Sequence, residues 1–347
     1  MSKQIEEIGL KESIKAAIKQ AYDYNKEKTP SRKFTREVYR SLAKALKLDF
    51  RSDYSARKEF GSWGNAVASS VDEVKEEQTV ITEEVGNIDD SDVPFLTQRT
   101  VKPDVTYKIL VFPDMHMPYH SEPAVEAAIQ LGEAFKPDEM VHLGDLCDFY
   151  NVSNFPKKRD RPSNLGKELD EAKAMLAEIK ARTGAERCTL LEGNHEARIR
   201  KYIWNKAPQF GRIRALHVDS LLGLKDIGWD FIPEHKFYAV NDVYFTHGEF
   251  CTIHAAKKHM DEYRVSIIHG HAHRITSRYH KGLSGTIEGH EMGCLCSFDV
   301  SADYVKRANW QHAVGTVVIR GSDYWINAHH IRNGVVEYDG RIIDGNK

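Results

Sequence analysis

Thr106-Tyr-Lys-Ile-Leu-Val-Phe-Pro-Asp-Met-His116 is an apolar run that ends on two residue types able to ligate a metal. Such a run, closed by a proline, reads as a buried strand of a parallel sheet. The same arrangement returns four times. Glu139-Met-Val-His-Leu143 leads into Gly144-Asp145-Leu-Cys-Asp148, and Cys188-Thr-Leu-Leu191 leads into Gly193-Asn194-His195-Glu196. Val243-Tyr-Phe245 leads into His247-Gly248, and Val265-Ser-Ile-Ile-His269 into Gly270-His271-Ala-His273. Each motif therefore falls just past the carboxyl end of a strand, where open α/β sheets bind their ligands. In an extended segment, residues two apart share a face. Asp114/His116 and His271/His273 are each expected to present a ligand pair to one small volume.

Together the motifs supply four carboxylates, one amide and five imidazoles, enough to hold two metal ions and leave a proton donor over. All 17 histidines lie at or after position 116, so this chemistry belongs to one region of the chain. A single Gly-Asp or Gly-His pair carries little weight; five motifs in one order and one structural context carry much more. Other histidines read differently. His142 and His269, inside apolar strands, are expected to pack rather than ligate, and His120 either lines the site or solvates a loop. His329-His330 precedes an Asn333-Gly334 hairpin signal and reads as structure, with one of the two turned inward.

In this order the motifs resemble the calcineurin-like metallophosphoesterase superfamily. Its signature is Asp-x-His, Gly-Asp-x-x-Asp, Gly-Asn-His-Glu, Gly-His, then Gly-His-x-His; the fourth element stands here as His247-Gly248. The resemblance covers residues 106–275 closely. It implies a four-layer α/β/β/α sandwich, and it implies one metal held by Asp114, His116, Asp145 and His273. The second metal would be held by Asp145, Asn194, His247 and His271, with Asp145 bridging. His195 would be the leaving-group acid, oriented by Asp148 through its other ring nitrogen. Charge fits that allocation: two divalent ions against two ligand carboxylates leave roughly +2, suited to a phosphoryl group. Mixed imidazole and carboxylate ligation suits manganese first, with iron, zinc, nickel or cobalt as alternatives.

Protein phosphatases of this superfamily follow Gly-Asp-x-x-Asp with an Arg-Gly that grips phosphate. Phe149-Tyr150 stands here instead, which argues against that activity. The run from Gly144 to Phe155, the amphipathic helix Leu165–Ala181 and the stretch Gly193–Arg200 look like phosphoesterases found in phage and prophage genomes. Arg198 and Arg200, just past His195, are candidates for phosphate contacts or for pairing on a helix.

The amino-terminal part differs in charge. Residues 26–58 hold eleven Lys/Arg against four Asp/Glu, whereas residues 72–92 hold nine acids and one lysine. The chain is thus expected to comprise a small all-helical module over 1–70, an acidic linker over 71–103, and an α/β metallophosphoesterase domain over 104–347. Tyr54-Ser-Ala-Arg-Lys-Glu-Phe-Gly-Ser-Trp-Gly-Asn-Ala-Val67 resembles the core of small helical repeats that accompany homing endonucleases, with Gly64 at a usually polar position. That resemblance implies nucleic-acid contact. Arg36, Arg40 and Lys44, spaced four apart on one helical face, are the candidate residues. A protein partner or a second copy is the alternative use of the module.

Composition supports an ordinary soluble enzyme. The net charge of −2 points to no class of partner, and no apolar run is long enough to span a membrane. Five cysteines without a Cys-x-x-Cys pattern read as reduced thiols of a cytoplasmic protein, with Cys294-Leu-Cys296 read as packing. The leading expectation is a dinuclear-metal phosphodiesterase acting on nucleic acid, as a DNA nuclease. The runners-up are a nucleotide or small-molecule phosphoesterase and a non-catalytic nucleic-acid-binding protein.

Overall fold

Ile109, Leu110, Val111 and Phe112 are all fully buried, and successive side chains enter two different cores. A strand covered on both faces must lie inside a layered structure, which is why it reads as an unbroken apolar run. The computed structural model describes residues 95–154, 157, 164–282, 285–301 and 308–347. In chain order its main elements are β1 (Leu96–Arg99), β2 (Thr106–Phe112), α1 (Glu122–Phe135), β3 (Glu139–His142), α2 (Leu165–Thr183) and β4 (Arg187–Leu191). There follow α3 (Ala197–Lys206), β5 (Asp230–Ile232), β6 (Phe237–Val240), β7 (Val243–Thr246), α4 (Ala255–Tyr263) and β8 (Ser266–His269). The last are β9 (Ile275–Gly282), β10 (Gly285–Met292), β11 (His312–Arg320), β12 (Asp323–Ile331), β13 (Val335–Tyr338) and β14 (Arg341–Asp344).

One sheet runs β12-β11-β2-β3-β4-β5, with β2 to β5 parallel, β11 antiparallel to β2 and β12 antiparallel to β11. The other runs β1-β6-β7-β8-β10-β9 and is mixed, with β7, β8 and β10 parallel. Between the two sheets Ile109, Val111, Val141 and Leu143 meet Val240, Val243, Phe245 and Ile268. On the far face of the first sheet Leu110, Phe112, Met140 and Leu190 pack on Val125 and Ile129 of α1 and Leu176 and Ile179 of α2. On the far face of the second, Ile267 packs on Met260 of α4. The order is helix, sheet, sheet, helix, the expected four layers. Each fully buried Leu or Ile contributes about 1.5–3 kcal/mol of transfer free energy, so a strand feeding two cores is held strongly in register.

Helix α2 starts where Asn164 accepts the Lys167 amide at 3.0 Å and stops at Gly184, whose φ of 70° leaves the helical region. Asn333 and Gly334, both at positive φ, make the expected turn, though it closes only the Arg332–Val335 bridge before β13 pairs with β14. His329 is half-buried and bonds Thr316 Oγ1 at 2.8 Å, while His330 is exposed, so this pair is structural.

The stretch read as linker holds one surprise. Leu96–Arg99 pairs in parallel with Phe237–Val240 at the edge of the second sheet, so the sheet begins before residue 104. Four residues on an edge need no alternation of apolar and polar side chains, and pairing alone defines them. Arg99 is anchored to Glu139 at 2.8 Å. The helical module over 1–70, including Arg36, Arg40 and Lys44, lies outside the described residues. No helix among the described residues is long and apolar enough to cross a membrane.

Candidate active site

The five motifs follow the carboxyl ends of β2, β3, β4, β7 and β8, and the two sheets bring them to one edge of the sandwich. The first three come from one sheet and the last two from the other. Asp114, His116, Asp145, Asp148, His195, His247 and His273 are all buried, and Asn194 and His271 are partly so. His116 Nε2 lies 3.2 Å from His273 Nε2, and His273 Nε2 lies 3.0 Å from Asp114 Oδ2. A second group joins Asp145, His247 and His271, and Asn194 Oδ1 approaches His247 Nε2 at 2.9 Å. Asp145 sits between them: its Oδ2 is 3.4 Å from His247 Nε2 and 3.7 Å from His116 Nε2.

The ligand pairs converge by a different route from the one expected. Neither Asp114/His116 nor His271/His273 lies in extended chain. His116, Asp145, His271 and His273 have φ of 53°, 50°, 67° and 61°, in the left-handed region. A non-glycine residue there costs about 1 kcal/mol or more, and such strain persists where the surroundings over-determine it. Kinked loops, rather than strand alternation, aim the imidazoles inward. The carboxylates in turn press on backbone: a Cβ on Gly193 would lie 2.1 Å from Asp145 Oδ1, and one on Gly270 2.2 Å from Asp114 Oδ1. The glycines of both motifs are therefore required by close approach.

Each imidazole has a fixed orientation. His247 Nδ1 donates to the Leu143 carbonyl at 3.0 Å, which leaves its Nε2 facing Asp145 and Asn194. His195 Nδ1 lies 3.2 Å from Asp148 Oδ1 and 3.0 Å from the Asp148 carbonyl oxygen. Its Nε2 faces the cluster, 3.9 Å from Asp145 Oδ2. Arg198 reaches the same nitrogen at 2.8 Å and donates to the Asp148 carbonyl at 2.7 Å. Asp148 also faces His116 Nδ1 at 3.5 Å.

The electrostatics show a site built for cations. Burial alone would raise Asp114, yet the hydrogen bond from His273 holds it down at about 2. Burial likewise opposes ionisation of Asp145, and His195 and His247 keep it well below the carboxylate range. His247 overcomes its own burial through Asp145 and is pushed up to about 9, whereas burial holds His271 down at about 4. Buried carboxylates here draw protons onto imidazoles because those are the positive charges at hand; a divalent cation in the same place would displace them. The facing ring nitrogens of His116 and His273, with only a proton's width between them, fit that replacement. Two donor sets sharing Asp145 thus could hold two ions. A cleft of about 270 Å³ opens beside Asn194, His247 and His271, walled by Glu192, Glu234 and Lys236.

Some residues have roles that their positions in sequence did not reveal. Glu196, fully buried, accepts the amides of Asp145 at 2.8 Å, Cys147 at 2.9 Å and Gly193 at 2.9 Å, and so ties two motif loops together. The signal was its place in Gly-Asn-His-Glu, with no spacing rule to say what it touches. Cys296, read as packing, lies 3.9 Å from His273 Nδ1, and Trp310 packs edge-on against the same ring. Arg200 is committed to Glu192 at 2.7 Å and Glu234 at 2.9 Å, so it buttresses the loop. His142 and His269 are fully buried and held by burial below the imidazole range, as packed strand residues. His120 is half-buried, with a backbone bridge to Cys296. Phe149, where protein phosphatases carry arginine, is fully buried in the core and cannot reach a substrate.

The Gene 54 protein of Mycobacterium phage L5 is 26% identical over 252 residues, covering 68% of this chain and 98% of that protein. Among solved structures, a Vps29 single mutant from Entamoeba histolytica aligns with a TM-score of 0.37 and 14% identity, over 68% of this chain and 98% of that one. TT1561 of Thermus thermophilus aligns with a TM-score of 0.31 and 7% identity, over 65% and 99%. Residues 107–321 match the family described as calcineurin-like phosphoesterase. That span holds all five motifs and both donor sets, and the chain belongs to the calcineurin-like phosphoesterase family of metal-dependent hydrolases.

Proposed function

We propose that this chain is a dinuclear-metal phosphodiesterase that cuts nucleic acid, with DNA as its main substrate. The observation that carries the dinuclear reading is the position of Asp145, whose Oδ2 stands within 3.7 Å of imidazoles from both clusters. Asp114, His116, Asp145 and His273 would hold one ion, and Asp145, Asn194, His247 and His271 the other. Manganese is the ion we assign. When bound, such a pair polarises a phosphoryl oxygen and furnishes a nucleophile at neutral pH.

The chain's own residues do the rest. His195 stands beside the donor sets without completing either, and its Nε2 faces the volume they enclose. Asp148 fixes the ring through Nδ1; once Arg198 turns from Nε2 to a substrate phosphate, a proton carried on Nε2 can pass to a departing alkoxide. Arg198, at the same nitrogen, is placed to meet a substrate phosphate. Support for nucleic acid comes from the basic amino-terminal stretch with Arg36, Arg40 and Lys44, and from its resemblance to DNA-associated repeats. Likeness to a phage protein supports the cytoplasm of a bacterial host as the place where this chain acts.

A second reading, a nucleotide phosphoesterase, is favoured by the cleft of about 270 Å³, near the low end of small-ligand sites. Purified full chain with manganese, tested on labelled single- and double-stranded DNA, RNA, nucleotides and bis-p-nitrophenyl phosphate, separates the two. Strand cleavage that weakens on deletion of residues 1–70, with the diester still hydrolysed, is the expected result. Hydrolysis confined to nucleotides would establish the second reading.

The close approach at Gly270 makes a sharper check on ligand assignment. Gly270→Ala should displace the Asp114 carboxylate and weaken one of the two ions about 10–100-fold or more, the range seen when metal ligands lose their supports. Elemental analysis should then find bound metal falling from two per chain toward one. Two tightly held ions in that variant would mean Asp114 ligates neither.

A further inference from the structure

Helix α3 and the turns after it carry a feature that the metal centre does not explain. Tyr202, Trp204, Phe210 and Ile213 are 42%, 57%, 46% and 44% exposed, four large apolar side chains within twelve residues. Singly an exposed aromatic means little; a cluster of them marks an interaction surface. Residues 197–216 contain six Lys/Arg and no Asp or Glu. Three of the six are structural: Arg200 and Lys201 bind Glu234, and Arg214 binds Asp219. Lys206 and Arg212 are exposed on the same stretch as the aromatic rings.

The surface is firm and it touches the site. The Arg200 guanidinium lies 5.5 Å over one face of the Trp204 ring, while the side chain as a whole stays 57% exposed. The first turn of the helix holds Arg198, which bonds His195 Nε2 at 2.8 Å. At 1.5 Å per residue, Arg198 to Lys206 spans about 12 Å, so the rings lie within a few nucleotides of the reacting phosphate. Aromatic faces interleaved with cations, on a segment with no carboxylate of its own, complement a polyanion whose bases are unpaired. Paired bases have no open face to offer.

We propose that Trp204 and Phe210, with Lys206 and Arg212 beside them, form a stacking platform for unpaired bases next to the scissile phosphate. The platform selects single-stranded nucleic acid. It rests on the nucleic-acid reading above and narrows it.

The test uses the full chain, a fluorescein-labelled oligothymidylate, the same sequence as a duplex, and bis-p-nitrophenyl phosphate. Trp204→Ala should weaken oligothymidylate binding about tenfold, the loss of one stacked base. The ratio of oligonucleotide to small-diester kcat/KM should fall by a similar factor, and duplex binding should change less. Trp204→Phe, which keeps a ring, should restore most of the loss; this separates stacking from damage to the fold. The double variant Lys206→Gln with Arg212→Gln should lower the slope of log Kd against log salt by about 1.4, from two phosphates at about 0.7 each. Binding by Trp204→Ala within twofold of the parent, while the parent cleaves DNA, would overturn the platform and leave the nuclease reading intact. A parent that neither binds nor cuts any nucleic acid would overturn both. A dimeric parent whose Trp204→Ala variant sediments as a monomer, with oligonucleotide binding unchanged, would overturn the platform and make the patch a contact between copies.

Discussion

Asp145→Asn is expected to reduce turnover by about 10²–10³-fold or more, the most damaging single change at the site. Its carboxylate is the group that both donor sets share, so the substitution weakens two ions at once and removes one negative charge from between them. Asparagine keeps an oxygen that can still accept the His195 amide, now bonded to Oδ1 at 2.9 Å, so the loop should keep its path. Loss of function would therefore reflect charge and ligation rather than misfolding. The check is turnover measured with metal content and thermal melting on the same preparations. Full activity of the variant after chelation, with no metal returned, would sink the dinuclear mechanism.

His195→Asn should behave in the opposite way. Both ions should stay bound, because the proposed donor sets are complete without His195, although it stands within ligand range of His116 and Asp145. Turnover should fall about 10²–10⁴-fold, the usual span for a missing general acid. The deficit should shrink with p-nitrophenyl esters, whose leaving group departs without a proton, and stay large with DNA. That dependence on leaving group is what a merely structural histidine would not show. Loss of one equivalent of metal in the variant would instead make His195 a ligand.

Much of this molecule was legible in sequence because its strands are buried on both faces and announce themselves as apolar runs. Ile109–Phe112 is one such run, and the ligands follow such runs at short, regular distances. Long-range closure was not legible. The four-residue strand Leu96–Arg99 is defined by Phe237–Val240, some 140 positions away, and an acidic stretch before it suggested only linker. The left-handed backbone at His116, Asp145, His271 and His273 was hidden for a related reason. Spacing by two suggests extended chain, whereas the four residues stand at positive φ and two of the loops press their carboxylates against Gly193 and Gly270. Arg200 looked as available as Arg198 until Glu192 and Glu234 claimed it.

The donor sets straddle the sandwich: His116 belongs to a loop of one sheet and His273 to a loop of the other, 157 positions apart. All five cysteines are free thiols, so no disulfide staples these distant segments. An ion held across them would act as that staple. Ligand present at a hundred times its Kd adds about 2.7 kcal/mol for each site that exists only in the folded chain. On these terms ions held at this site are also fasteners, and a shortage of metal would weaken the architecture in the same stroke that stops its chemistry.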